Sequence, residues 1–135
     1  MVTEYVDDIK MLEENHDLCQ SLKGDRIKLA KYAVYAAEQV IDIYERRFPL
    51  DTEPRLAIDL IKTYIEFQDT DAWEDLKIVK YYMRCNMFAN AAFEAAGVLT
   101  TLSPENSARK AERAAMNAAR SLKVFRKILD YGKSL

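Results

Sequence analysis

Turn-forming residues are scarce in this chain, and that scarcity limits the folds it can adopt. Only 3 glycines and 3 prolines occur among 135 residues, too few for the many turns of a small β-sandwich. Alanine is common between residues 89 and 119, and alanine is the strongest helix former. These features predict an all-α protein with a single domain over residues 1–135. About five helices should form an antiparallel bundle or helical array, because short connections make neighbouring helices run in opposite directions.

Apolar spacing and capping residues indicate where those helices lie. The predicted spans are about Thr3–Leu22, Arg26–Arg47, a third helix beginning at Glu53–Pro54 and broken at 69–71, Ala72–Val98, and a fifth opening at Ser103–Pro104. The fourth is apolar on more than one side, which is typical of a central helix. In the fifth, a continuous apolar seam comprises Ala111, Ala115, Ala118, Leu122, Phe125 and Leu129.

Several residues carry more local predictions. Val6, Ile9, Leu12 and Leu18 form a thin apolar stripe that predicts an edge position for the first helix. Asp25 is expected to cap the second helix, and Asp71 with Glu74 resembles a capping box. Gly132 is a plausible residue just beyond the end of the last helix.

Composition excludes several classes of function. The net charge is −2, which gives no general basic field for nucleic acid. No apolar run is long enough to span a membrane, and the acidic N-terminus lacks the apolar core of a secretory signal. Cys19 and Cys85 lack a CxxC spacing and are expected to be reduced thiols. We therefore expect a cytoplasmic protein that has no membrane partner.

Residue types that support catalysis or metal binding are sparse. Glu13, His16 and Cys19 share a helix face, but His16 is the only histidine and Cys85 the only other thiol. We therefore expect these three side chains to be hydrogen-bonded within the protein or exposed at its surface, and this interpretation is favoured over a metal site. No nucleophile elbow, phosphate-binding glycine loop or HExxH sequence occurs. We expect no enzymatic activity and no cofactor.

Charged residues suggest two surfaces, each with a simpler alternative. Asp69, Asp71, Glu74 and Asp75 lie at a predicted helix start, where they would compensate the helix dipole or face a basic partner. The first helix, from Glu4 to Asp17, is the second acidic surface. A basic stripe opposite the last seam comprises Arg109, Arg113, Arg120 and Lys127. It is a solvated face, a surface for a protein partner or a phosphate-binding surface.

Two further sets of polar side chains leave alternatives open. Tyr35 lies away from the main apolar seam of its helix. It is therefore a candidate exposed residue that could anchor a protein–protein interface. Asn86 and Asn90 are one turn apart and either hydrogen-bond across the bundle or line a pocket.

Residues 29–64 resemble a family of immunity proteins from bacterial polymorphic-toxin loci, the fifth of the numbered immunity families. The resemblance is carried by two groups of residues around one turn: Ala36, Ala37, Glu38, Val40, Tyr44 and Glu45, then Pro49, Asp51, Pro54, Arg55, Ala57 and Ile58. The Pro-x-Asp-x-x-Pro-Arg element within it sets two prolines and an aspartate at fixed offsets. By themselves Pro49, Asp51, Pro54 and Arg55 are interpreted as structural residues of that turn.

The resemblance implies an immunity-type protein that neutralises a toxin by stoichiometric binding, with a toxin or other effector enzyme as its protein partner. Asp69, Asp71, Glu74 and Asp75 are the predicted partner-binding residues. The alternative is a phage-encoded inhibitor of a host defence nuclease, which gene neighbourhood would distinguish. A helical module that binds nucleic acid through the last helix is a third hypothesis.

Overall fold

The computed structural model describes the backbone of residues 2–83 and 89–135 and the side chains of residues 8–83 and 89–135. These residues form helices and no strand, so the predicted all-α class is confirmed. The prediction of about five helices is wrong, because the described ranges contain eight. They are α1 Val2–Ser21, α2 Arg26–Glu38, α3 Ile41–Arg47, α4 Glu53–Phe67, α5 Thr70–Tyr82, α6 Asn90–Thr100, α7 Pro104–Ala118 and α8 Leu122–Lys133. None of them has the length and apolar character needed to cross a membrane.

The predicted second helix is divided into α2 and α3 at Gln39 and Val40. Neither residue is glycine or proline, so the sequence carries no breaking signal here. The backbone N–H groups of Gln39 and Val40 donate to carbonyls three residues back, at Ala36 and Ala37. Such bonds tighten the end of a helix. Val40 is fully buried, and tertiary packing therefore sets this break.

The predicted fifth helix is divided into α7 and α8 by Ala119, Arg120 and Ser121. The Ser121 hydroxyl accepts a hydrogen bond of 3.2 Å from the backbone N–H of Val124 and so caps α8. The predicted seam residues are buried on both sides of the break, except for Leu122, which is 37% exposed. Because the apolar spacing continues across the break, periodicity alone did not reveal it.

The predicted fourth helix corresponds to two helices with different environments. In α6 all but four residues are buried, and the buried set is Ala91, Ala92, Ala95, Ala96, Gly97, Val98 and Leu99. In α5 only Ala72 and Leu76 are buried. The prediction of one central helix therefore holds for α6 and is wrong for α5, which lies at the periphery.

Small residues allow α6 and α7 to approach closely. The hydroxyl of Ser107 on α7 donates to the carbonyl of Val98 on α6 at 2.9 Å. The aliphatic stem of Lys110 covers Gly97, where an added Cβ would lie 3.0 Å from the lysine Cδ. The same lysine reaches Glu94 at 3.3 Å. The alanine-rich composition of these helices is thus used for close packing around α6.

The first helix buries a face that shares only Leu18 with the predicted stripe, since Leu18 is half-buried against the core. Ile9 is 55% exposed and Leu12 is 42% exposed, while Val6 lies outside the described side chains. The buried face instead carries Met11, Asn15 and Cys19. A polar asparagine is accommodated there because its amide is hydrogen-bonded to the Tyr32 hydroxyl and to the backbone carbonyl of Glu112.

Two of the predicted caps are confirmed. The Asp25 carboxylate accepts from the backbone N–H of Lys28 at 3.0 Å, and the Ser103 hydroxyl caps α7. The capping box at Asp71 and Glu74 is wrong, because the N-cap of α5 is Asp69. Gly132 lies inside α8 rather than beyond its end.

Candidate interface on the outer face of α5

The four acidic residues predicted to bind a partner lie at the start of α5. Asp69 is the N-cap and its carboxylate accepts from the backbone N–H of Asp71 at 2.9 Å. Asp71, Glu74 and Asp75 are exposed on the helix that follows. Asp69 therefore has a structural role, whereas the other three carboxylates present negative charge to solvent.

The acidic residues continue into an exposed apolar surface on the same helix. At 100° per residue, Ile78, Tyr81 and Tyr82 fall in the same sector as Asp71, Glu74 and Asp75. Ile78 is 58% exposed, Tyr81 is 82% exposed and Tyr82 is 67% exposed. The two tyrosine rings meet edge to face, with centroids 5.1 Å apart. We call these six residues, Asp71, Glu74, Asp75, Ile78, Tyr81 and Tyr82, the α5 outer face.

The opposite side of α5 holds the helix in place. Leu76 is fully buried, and the indole N–H of Trp73 donates to the carbonyl of Leu99 on α6 at 2.9 Å. The ammonium of Lys80 lies 5.0 Å from the centre of the ring of Phe93 on α6. Such contacts fix the orientation of the helix, so the outer face is presented on a rigid element.

The electrostatics of the α5 outer face are dominated by carboxylates. Lys77 lies beside the face and reaches Glu74 at 3.3 Å. An exposed pair of this kind is weak, and it leaves Asp71 and Asp75 as exposed negative charges on the same sector. The face therefore combines acidic residues in its N-terminal half with aromatic residues in its C-terminal half.

The sequence predicts the acidic half of this face as a partner-binding surface and does not predict the apolar half. In the sequence, Ile78 and Tyr82 count among the apolar residues of the predicted fourth helix, which is expected to be central. The signal that would have separated them is their spacing from the acids, since residues 71, 75, 78 and 82 follow the three- and four-residue repeat of one helical face.

The turn residues identified from the sequence form a connected network between α3 and α4. The Tyr44 hydroxyl donates to Asp51 Oδ2, and Asp51 Oδ1 accepts from the backbone N–H of Glu53 at 3.1 Å. Arg55 donates to both carboxylate oxygens of Glu45, at 3.1 and 2.6 Å. Pro54 lies in the first turn of α4, where its missing N–H costs nothing. Pro49 lies in the connection between the two helices.

The guanidinium of Arg55 favours the ionised form of the Glu45 carboxyl. Its hydrogen bond to Glu45 lowers the pKa of that carboxyl below the usual value, and the same bond raises the pKa of Arg55. A second carboxylate, Asp42, lies 3.4 Å from Arg55. The planar fork of arginine suits this bidentate arrangement.

The trio Glu13, His16 and Cys19 does not converge on a common point. His16 lies at 2.8 Å from Glu112 on α7, while Cys19 is fully buried and lies 3.9 Å from Asn15 Oδ1. Burial raises the pKa of the Cys19 thiol to about 12. Within the described residues, no group of three or more His, Cys, Asp or Glu side chains is arranged to hold a metal ion.

The other sequence candidates are distributed differently from the predictions. Arg109 and Arg113 are exposed on α7, whereas Arg120 lies in the break and Lys127 on α8, so the basic stripe does not follow one helix. Tyr35 is half-buried and stacks on Tyr131 with ring centres 4.0 Å apart. Cys85 and Asn86 lie outside the described residues, so the interpretations that involve them stay predictions.

Comparison of the chain with models of protein families, with curated proteins and with solved structures gives no match. The resemblance to immunity proteins rests on the residues of segment 29–64 alone.

Proposed function

We propose that this protein is a stoichiometric inhibitor that binds a basic protein partner through the α5 outer face and transforms no substrate of its own. The observation that carries the proposal is the composition of that face, in which exposed carboxylates adjoin an exposed isoleucine and two exposed tyrosines. The resemblance of segment 29–64 to bacterial immunity proteins supports a toxin as the partner.

The apolar half of the face supplies affinity. Tyrosine is enriched among the residues that dominate binding energies, because its ring buries a large area at a low cost in side-chain entropy. Burial of an exposed large apolar side chain contributes on the order of 1.5–3 kcal/mol. Tyr81 and Tyr82 lie on a helix that is already ordered, so little of that gain is spent on ordering the backbone.

The acidic half of the face raises the association rate and contributes specificity. Negative charges on one face attract a cationic partner over several ångströms and orient it during encounter. Such steering acts mainly on the association rate and weakens as salt screens the charges. Occlusion of the active site of the toxin would then follow from the bulk of the helical domain.

The test uses the toxin encoded beside the gene of this protein. The two proteins are mixed, and association and dissociation rates are measured at low and at physiological salt. A triple variant, Asp71→Asn with Glu74→Gln and Asp75→Asn, is expected to lower the association rate about 10-fold at low salt and to flatten its salt dependence. A Tyr81→Ala, Tyr82→Ala variant is expected to raise the dissociation rate about 100-fold.

The matched control neutralises three exposed acids on α1 instead, by Asp8→Asn, Glu13→Gln and Asp17→Asn. This variant has the same change in net charge and also tests the second acidic surface. Its rates should stay close to those of the unmodified protein. The absence of both a complex and protection from the toxin would defeat the proposal. Tight binding of DNA or RNA at physiological salt that Arg113→Glu abolishes would replace it with a nucleic-acid function.

A further inference from the structure

The outward side of α7 carries two bases and a methionine. Arg109, Arg113 and Met116 are exposed, Met116 at 44%. At 100° per residue they fall within one sector, on the side opposite the buried Ala111 and Ala118. Neither arginine forms an ion pair within the described part of the chain. We call Arg109, Arg113 and Met116 the α7 outer face.

The acidic residues of α7 are engaged by α1 and by the turn that follows it. Glu112 lies 2.8 Å from His16 on α1, and Glu105 lies 3.9 Å from Lys23, just after α1. No other acidic residue occurs in α7. The α7 outer face therefore presents positive charge that the acids of its own helix do not pair.

The α5 outer face carries the opposite charges at the same spacing. Its residues Asp71, Asp75 and Ile78 follow one another at intervals of four and three residues, as do the three residues of the α7 outer face. Because a helix rises about 1.5 Å per residue, the two charges are about 6 Å apart along each axis and the apolar side chain lies about 4.5 Å further on. Neither Asp71 nor Asp75 is ion-paired with another described residue. The two faces are therefore complementary in charge, in apolar content and in spacing.

We infer that the α5 outer face of one copy of this chain binds the α7 outer face of a second copy. The two helices run parallel, and the facing pairs are Asp71 with Arg109, Asp75 with Arg113 and Ile78 with Met116. The antiparallel arrangement would bring an aspartate to the methionine and the isoleucine to an arginine. The contact is heterologous and leaves one face of each kind free, so further copies can be added. Because exposed ion pairs are weak and screened by salt, association should require high protein concentration and low salt.

The inference goes beyond the proposed function and concerns this chain alone. Only one consequence rests on that function: a copy whose α5 outer face is covered by a neighbour cannot bind the toxin through the same face. The toxin and the second copy would then compete for Asp71 and Asp75.

The test measures the mass of the protein by sedimentation equilibrium, from about 10 μM to about 1 mM protein and at about 20 mM and about 300 mM salt. The unmodified protein is expected to associate at low salt, and the higher salt should raise the apparent Kd at least about 10-fold. Two charge-reversed variants are compared with it, Asp71→Lys with Asp75→Lys and Arg109→Glu with Arg113→Glu. Each variant alone should be monomeric, since its two faces carry the same charge. An equimolar mixture of the two should associate again, because each face then meets its complement on the other variant.

The matched control reverses two exposed bases on α8, by Lys123→Glu and Lys127→Glu. It changes the net charge as much as the arginine variant does and should associate like the unmodified protein. A monomer at every concentration in low salt overturns the inference, as does association that either reversal leaves intact. A mixture that stays monomeric, although both variants keep the unfolding midpoint of the unmodified protein, also overturns it.

A further outcome would assign the α7 outer face to another partner. If the unmodified protein stays monomeric and the arginine variant weakens binding of the toxin or of a DNA duplex, that partner covers the face and the inference is wrong. The proposed function is decided separately, by whether the toxin binds the α5 outer face.

Discussion

The hydroxyl of Tyr32 on α2 donates a 2.6 Å hydrogen bond to Asn15 Oδ1 on α1, and both residues are fully buried. The Asn15 amide also donates from Nδ2 to the backbone carbonyl of Glu112 on α7 at 3.1 Å. One asparagine therefore joins three helices. In a small alanine-rich core, such a contact fixes how α1 lies on the rest of the bundle, since any other register would leave buried polar atoms without partners.

Removal of the Tyr32 hydroxyl should therefore destabilise the protein. Tyr32→Phe leaves Asn15 Oδ1 without its short donor and is expected to lower the free energy of unfolding by about 1–2 kcal/mol. Urea unfolding followed by circular dichroism measures this change. Tyr81→Phe removes an exposed hydroxyl and should change stability by less than about 0.5 kcal/mol. Equal effects of the two substitutions would contradict the buried contact.

Alkaline pH should weaken the fold through Cys19. Burial raises the pKa of its thiol from 9.0 to about 12, so the unfolded chain loses this proton at lower pH than the folded one. The contribution is fully present below pH 9 and is lost as pH rises from about 9 towards 12, with a slope of up to about 1.4 kcal/mol per pH unit. Burial also raises the pKa of Tyr32, which acts in the same direction.

The contribution of the thiol can be isolated by comparing how steeply stability changes with pH in two proteins. Cys19→Ala removes the titrating group, so its stability should fall less steeply between pH 8 and 10.5 than that of the unmodified protein. Unfolding midpoints in urea at four pH values give both slopes. Cys85 is present in both proteins, so its contribution cancels. Parallel slopes would show that the thiol of Cys19 is accessible to solvent in the folded state.

Gly132 should tolerate no side chain. A Cβ at this position would lie 2.5 Å from Tyr32 Cε1 and 2.5 Å from Leu18 Cδ2. Gly132→Ala is therefore expected to cost about 1–3 kcal/mol of stability, because the Tyr32 ring and the Leu18 side chain must shift to make room. Gly24→Ala is the control, since nothing lies within 4 Å of its added Cβ and no glycine among the described residues has a positive φ. That substitution should be neutral or slightly stabilising, as thermal unfolding would show.

The α5 outer face should be dispensable for folding. Replacing Ile78, Tyr81 and Tyr82 with serine is expected to change the free energy of unfolding by less than about 0.5 kcal/mol at each site. Leu76→Ala, on the buried side of the same helix, should cost about 2–5 kcal/mol. Chemical denaturation of the four single variants provides the measurement. A large loss at Tyr82 would mean that its ring packs against the fold rather than facing solvent.

The predicted and observed helices differ for identifiable reasons. Pro54 and Ser103 mark helix starts through local chemistry, and both were predicted correctly. The break at Val40 has no local signal. The N-cap Ser121 was overlooked because Ala118, Leu122 and Phe125 keep an unbroken apolar period around it. A period of three and four residues survives when one helix ends and a new one begins in phase, so the pattern by itself overestimates helix length.

The candidate site was only partly accessible from the sequence for a related reason. Acidic residues at a helix start are conspicuous, and Asp71, Glu74 and Asp75 were identified in this way. An isoleucine or tyrosine in a helix, by contrast, is predicted to be buried in the core unless its surroundings are known.

The sequence alone determined the all-α class, the sites of several caps and the chemistry of the turn between α3 and α4, because each depends on interactions within a few residues. Tertiary structure decided which helices lie at the centre, which asparagine is buried and which apolar side chains remain in solvent. Those outcomes depend on residues far apart in the chain: Asn15 is accommodated by Tyr32 and Glu112, and Gly132 is required by Leu18 and Tyr32. No local pattern contains such pairings.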